Sequence, residues 1–253
     1  METITIILSI IGALAWLPDI IKLIRNIIKK PKVTIISDKN LELGFTLFGP
    51  IINLGLAFSS ERKDALITKI ILKLEHENKD KYEFIWEWFE ENLLEMQIPN
   101  AGIVPYKKNQ QAIALKVLKD NLVEKKVGFQ IQEFKIEKNK QLSNLYEINE
   151  NNLKNNIPPK SILSTNEYIN LNNLYKNSFI WKSGKYIAQI EIFTNENKKS
   201  FTHSLNYKIS TYDIKQLEKN KDLINKVLEN MFIKQDIEYT EIWTWIYPLK
   251  SEN

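Results

Sequence analysis

The residues best equipped for chemistry lie in one short run, Tyr82-Glu83-Phe84-Ile85-Trp86-Glu87-Trp88-Phe89-Glu90. Aromatic rings and carboxylates side by side are what a sugar meets in a binding cleft. In an extended strand successive side chains alternate between faces, which puts Phe84, Trp86 and Trp88 on one face and Glu83 and Glu87 on the other. Those two carboxylates then stand about 13 Å apart at the strand rise, beyond the ~5–9.5 Å separation used in glycoside hydrolysis. The aromatic stripe therefore reads as core between packed sheets, which large rings dominate. A second group with the same alternation, Trp243, Trp245 and Tyr247, is the better candidate for an exposed binding surface.

Two histidines occur, His76 and His203, both on the apolar phase of a strand pattern. A histidine metal site takes further ligands in a clustered geometry with carboxylates behind them. Two isolated strand histidines read instead as hydrogen-bonded core or rim residues. His203 with Glu191 on a neighbouring strand is the one pair with catalytic chemistry in reach.

The chain has no cysteine, which excludes disulfides, thiol catalysis and Cys-ligated metals. Seven glycines in 253 residues leave little material for phosphate-cradling loops. No G-x-S-x-G, H-E-x-x-H, P-loop or dinucleotide pattern is present. Glu61-Arg62-Lys63-Asp64 reads as a solvated charged turn. No catalytic, cofactor-binding or metal-binding residue is assigned on this basis.

The elements that would carry these residues are mostly strands. Val33 to Ser37, Leu41 to Leu47, Ile52 to Phe58 and Leu66 to Glu75 alternate with period two, the mark of half-buried antiparallel strands. Glu77-Asn78-Lys79-Asp80 supplies turn chemistry, so Leu66 to Glu75 and Tyr82 to Phe89 form a hairpin. Ala112 to Leu118 and Val127 to Ile136 read as a second pair, with a phase shift between Ile131 and Phe134 that suits a bulge. Asn139 to Lys154 has helical spacing. The Asn-rich, Pro158-Pro159 stretch reads as an exposed connection. Phe179 to Trp181 and Tyr186 to Phe193 flank a Ser183-Gly184 turn, and Phe201 to Ile209 has the cleanest alternation in the chain. Ser210-x-x-Asp213 has the form of a capping box opening a helix over residues 211 to 231. Tyr239 to Tyr247 closes the chain as a β-like aromatic segment.

Ahead of these strands, Ile4 to Leu17 carries no charge and Lys22, Arg25, Lys29, Lys30 and Lys32 follow. Ile4 to Ile21 is 18 residues, roughly 27 Å as a helix, close to the ~20 residues a membrane crossing takes. The run predicts an anchor with Ile6, Ile7, Ile10, Leu14, Trp16 and Leu17 in lipid. Lys22, Arg25, Lys29 and Lys30 sit at the interface, and the positive-inside rule places Met1 outside and residues 33–253 in the cytoplasm. The alternative is that residues 4–28 form a soluble helix packed on the protein or a helix lying in the headgroup plane, which residues 20–28 fit because Ile20, Ile21, Ile24, Ile27 and Ile28 share a face opposite Lys22 and Arg25. Run length favours spanning.

The formal charge of +4 is concentrated here, with five Lys/Arg against two Asp/Glu in residues 1–32, leaving 30 against 29 beyond. Such a balance disfavours nucleic acid as a partner.

These readings predict a mainly β protein: an antiparallel immunoglobulin-like β-sandwich with two or three peripheral helices, preceded by an N-terminal transmembrane helix. Residues 1–30 form the anchor and 31–253 the cytoplasmic domain, with the best internal break near 155–165. The function they favour is a membrane-anchored, non-enzymatic protein-binding module on the cytoplasmic face of a bacterial membrane, with a protein partner, no cofactor and scope for homo-oligomers through Ser9, Gly12, Ala13 and Ala15. Two alternatives stand beside it. One is a membrane-perturbing effector of a bacterial defence or conflict system. The other is a sugar- or lipid-acting enzyme, which a pocket of converging carboxylates together with His203 would support.

Overall fold

The computed structural model describes residues 16–24, 30–98, 102–195, 199–233, 242–248 and 250. The described part of helix α1 is residues 16–24. The strands are β1 (Lys32–Thr46), β2 (Gly49–Glu61), β3 (Ala65–His76), β4 (Lys81–Ile98), β5 (Gly102–Gln111), β6 (Leu115–Val117), β7 (Leu122–Gln130), β8 (Gly184–Thr194), β9 (Lys199–Ile209) and β10 (Trp245–Ile246). Helices α2 (Gln132–Lys154) and α3 (Asn166–Asn177), a 3-10 turn at Pro159–Ser164 and helix α4 (Thr211–Ile233) complete the order.

The strands form one hydrogen-bonded sheet in the order β10-β1-β2-β7-β4-β3-β8-β9, with β5 added to β4 and β6 to β3. The mainly antiparallel character agrees with the alternation in the sequence. The immunoglobulin-like sandwich does not hold, because such a sandwich keeps its strands in two separate sheets and here they are continuous.

The continuous sheet closes on itself. β1 and β9 are six steps apart in the strand order, which in a flat sheet is about 29 Å at ~4.8 Å per strand. Yet Ser37 Oγ of β1 lies 3.1 Å from His203 Nε2 of β9. The curl turns one face inward, where Leu43, Phe45, Leu54 and Phe58 from β1 and β2 meet Leu72, Ile190, Leu205 and Tyr207 from the other half, all essentially inaccessible to solvent.

The helices gather at the end of the sheet marked by the β1–β2 turn. Phe134 of α2 meets Tyr175 of α3 at 5.4 Å, and Tyr146 and Tyr168 both approach Phe232 of α4. Tyr175 donates to the Leu47 carbonyl at 2.8 Å and the Trp181 indole to the Gly44 carbonyl at 3.0 Å, so the helical layer is tied to the sheet through backbone acceptors. Burial pushes the Tyr175 phenol far up, because its charged form would have no water to meet.

Several local expectations meet their structural counterpart. The β3–β4 hairpin is present, with Leu74 opposite Tyr82 and Glu75 opposite Lys81. At the start of α4, Asp213 N–H donates to Ser210 Oγ at 3.1 Å and Ser210 N–H to Asp213 Oδ2 at 2.9 Å, the reciprocal capping box.

Other expectations are corrected. β6 and β7 do not pair: β6 joins β3, while β7 lies between β2 and β4. The phase shift between Ile131 and Phe134 is the opening of α2 at Gln132, where period two gives way to a helical period. Phe179 to Trp181 is not a strand, the connection at Pro158-Pro159 contains the 3-10 turn Pro159–Ser164, and the helix α3, capped by Thr165 accepting from Tyr168 N–H, has no counterpart among the sequence expectations. Of Tyr239 to Tyr247, only Trp245–Ile246 is strand among the described residues.

Most of the predicted transmembrane span, residues 4–15, lies outside the described residues. Among the described residues no helix is long and apolar enough to cross a membrane. Ile6, Ile7, Ile10, Leu14, Arg25 and Lys29 lie outside the described residues. Trp16, Leu17 and Lys22 fall on α1, and Lys30 is exposed just before β1.

Candidate functional site: an outer groove floored by glycine

The outward face of β1, β2, β7 and β4 is where the chemistry-bearing residues meet, and a bulge decides which of them arrive there. Along β4, Trp86 pairs with Phe129 and Trp88 with Gly128, so Glu87 is an extra residue on one side of the ladder. One inserted residue rotates everything after it to the opposite face. Trp86 therefore points inward and is buried, its indole donating to the Trp88 carbonyl at 3.1 Å. Trp88 points outward. The expectation that Phe84, Trp86 and Trp88 share one face holds for the first two and fails for the third.

Two indoles lie over glycines of this face. A Cβ on Gly128 would collide with the ring of Trp88, and one on Gly44 with the ring of Trp245. Gly44 and Trp245 are register partners across β1 and β10. A strand glycine in such a place lets another group approach the backbone closely. Gly55, between them on β2, is covered in the same way by the Asp38 side chain, which leaves the β1 bulge between Ser37 and Leu41.

Trp88, Trp243 and Trp245 line one cavity of about 330 Å³ together with Phe48, and the amides of Asn53, Asn109 and Gln111 supply its hydrogen-bonding edge. Glu87 reaches it as well, ion-paired with Lys135 of α2. Phe48 is held from behind: its ring is 6.1 Å from that of Trp88, and the Lys138 ammonium sits 5.1 Å over it. Burial, and then Lys135, pull the Lys138 ammonium down from its ordinary value.

Two residues further along each strand, a larger cavity of about 750 Å³ opens, lined by Asp38, Gly55, Ala57, Glu90 and Glu124 among others. Glu42 forms the divide between the two. Its carboxylate accepts from Asn53 Nδ2 at 2.8 Å and from the Tyr247 hydroxyl at 3.2 Å, and pairs with Lys126 at 2.7 Å. Burial and the Glu42 carboxylate push the Tyr247 phenol up. Lys125 is engaged with Glu91 at 2.7 Å. Glu90 and Glu124 are diagonal neighbours, since Glu90 pairs with Lys126 and Glu124 lies two residues from it.

Of the surface expected from the sequence, Trp243 and Trp245 line the smaller cavity, while Tyr247 stands beside it through Glu42. Trp88, Phe48, Asn53, Asn109 and Gln111 were not expected there. The signal that marks the place is Gly44 and Gly55 on the polar phase of β1 and β2, positions where a soluble sheet ordinarily carries a side chain.

The histidines are not brought to this groove. His76 Nδ1 accepts from Asn78 N–H at 3.3 Å and its Nε2 is 3.1 Å from the Ser183 carbonyl, with the ring against Tyr186. His203 faces the interior beside Ser37, its imidazolium disfavoured by burial and then by Lys250. Glu191 does not join it: Ile190 is the register partner of His203, so Glu191 projects from the opposite face, where it pairs with Lys73 at 3.0 Å. The described residues contain no group of three or more acidic or histidine side chains placed to hold a metal ion.

No protein-family model matches the chain, and no curated protein matches it. A solved structure that it matches is described as "The details of glycolipid glycan hydrolysis by the structural analysis of a family 123 glycoside hydrolase from Clostridium perfringens", at 12% identity and a TM-score of 0.33, over 71% of this chain and 27% of that one. The chain thus spans about a quarter of the length of that protein. No membrane-crossing helix is found among the described residues. The expectation of a membrane-anchored, non-enzymatic binding module is therefore withdrawn. At this TM-score the likeness adds nothing to the account of the site.

Proposed function

We propose that the outer groove binds glycans. The observation that carries this reading is the pair of indoles laid on glycine floors, Trp88 on Gly128 and Trp245 on Gly44, beside Trp243 and a border of amide side chains. A sugar ring has an apolar face of axial C–H groups and an equatorial rim of hydroxyls. A ring held flat matches the first and carboxamides match the second, each able to donate and accept. Two held indoles also lose little conformational freedom on binding, which favours affinity.

Titration calorimetry of the full chain against soluble oligosaccharides of differing linkage tests this. Binding is expected for at least one class, and Trp88→Ala with Trp245→Ala is expected to weaken it at least tenfold while far-UV circular dichroism stays unchanged. A full set of glycans that fails to bind the wild-type chain, or binds the double variant equally, overturns it.

A catalytic form of the same reading is favoured by Glu90 and Glu124. Diagonal neighbours on one sheet face have Cα atoms about 7–8 Å apart, within reach of the ~5–9.5 Å carboxyl separation of glycoside hydrolysis. In that arrangement one carboxyl protonates the leaving oxygen while the other acts as nucleophile or activates water. Release of new reducing ends from a bound glycan, abolished by Glu90→Gln and by Glu124→Gln with binding retained, is the expected result. Binding without turnover in the wild-type chain removes the catalytic form and leaves the binding groove.

A further inference from the structure

A separate observation concerns α1. Over residues 16–24 the apolar side chains Trp16, Leu17, Ile20, Ile21, Leu23 and Ile24 are all exposed, at 48 to 68% of their full accessibility. Among the described residues none of them belongs to the buried core or to the partly buried side chains packed against it. At about 100° per residue these six fall within an arc of roughly 160°, running from Leu23 through Trp16, Ile20, Ile24 and Leu17 to Ile21. Pro18, Asp19 and Lys22 occupy the remainder. The described segment is thus two-sided.

An exposed apolar stripe of this breadth needs a cover, and charge identifies it. Lys22 shares the polar side with Asp19, Lys30 is exposed just beyond, and over residues 16–32 the sequence carries five cations (Lys22, Arg25, Lys29, Lys30 and Lys32) against that one carboxylate. Cations beside a tryptophan-bearing apolar face suit a surface that is greasy below and anionic above.

We propose that α1 lies flat in the headgroup layer of an anionic lipid surface, with Trp16, Ile20 and Ile24 sunk toward the acyl chains and Lys22 among the phosphates. Over these residues the helix lies along one leaflet. This docking is independent of the glycan groove and stands or falls separately.

Flotation of the full-length chain with phosphatidylcholine vesicles, with and without phosphatidylglycerol, tests it. The chain is expected to float with the anionic vesicles, at least tenfold more weakly with phosphatidylcholine alone, and to be released by alkaline carbonate. Ile20→Asp with Ile24→Asp is expected to abolish flotation with the melting temperature unchanged, since neither side chain packs on the body of the protein. Lys22→Glu is expected to lower it severalfold. Four results each overturn the proposal: no flotation with either vesicle, undiminished flotation of the double aspartate variant, resistance to carbonate extraction as for a spanning helix, or loss of self-association in that variant without any vesicle binding, which would make a second copy the cover.

Discussion

The two outer faces of the curled sheet are built on opposite plans. Over β3 and β8 the outward residues neutralise one another: Lys73 pairs with Glu191 at 3.0 Å and Lys81 with Glu75 at 3.3 Å. Hydrogen bonding to Lys81 holds the Glu75 carboxyl below its ordinary range. That face closes its own polar account in water. Over β1, β2, β7 and β4 the strands instead carry Gly44, Gly55 and Gly128, and side chains from elsewhere lie across them. Glycine weakens a strand, by roughly 0.5–1 kcal/mol relative to Ala. Three such positions on a single face let Trp88, Trp245 and Asp38 lie against the backbone, and the self-paired face shows what the same sheet looks like without them.

The sharpest way to break this contrast is to refill a glycine floor. Gly128→Val places a branched side chain where the Trp88 ring lies. Either the indole is expelled or the β4–β7 ladder opens. The expected destabilisation is about 1–3 kcal/mol, the range for overpacking a fitted contact, read as a drop in melting temperature with loss of glycan binding. Ile187→Val, at an exposed position on β8, is expected to be nearly silent. Equal tolerance at both positions would show that the glycines carry no structural role.

How much of this contrast is legible in the sequence depends on whether the deciding interaction is local. The alternation of Phe201 to Ile209, the turn at Glu77 to Asp80 and the Ser210/Asp213 cap are each settled within a few residues, and each stands as read. Alternation alone misplaces Trp88 because a single extra residue, Glu87, reverses the strand phase, and only the partner strand β7 reveals it. Proximity in the chain pairs β6 with β7, yet the sheet sends them to different neighbours. β5 contains Pro105, which weakens a strand pattern. The polar face of α3, with Asn166, Asn172, Asn173 and Asn177, hides a buried stripe of Tyr168, Leu171 and Tyr175. Gly44 and Gly55 were visible on the outward phase, but a glycine announces an approaching group without naming it.

A smaller effect is expected on the self-paired face. Lys73→Ala removes the partner of a Glu191 side chain that is 6% exposed, but the lysine itself is 46% exposed and water takes over part of its role. The expected loss is about 1 kcal/mol or less, measured by urea denaturation, with glycan binding unchanged. Loss of binding in this variant would show that the two faces are coupled and that the contrast between them is too simple.

The two faces remain distinct only while the sheet stays curled, and the Ser37–His203 contact marks where its two ends meet. Burial holds the His203 pKa below its ordinary value, with Lys250 adding to the effect. The unfolded chain therefore binds this proton more readily than the folded one, so stability rises with pH through this group. Its contribution is complete above the unfolded value near 6.5 and declines as pH falls from there toward the lower folded value. Comparing melting temperatures at successive pH values between neutral and mildly acidic conditions, the wild-type chain is expected to lose more than His203→Gln, which keeps an amide able to reach Ser37 and cannot charge. Parallel loss in both would assign the acid sensitivity to carboxylates elsewhere and leave the closure of the sheet to its apolar interior alone.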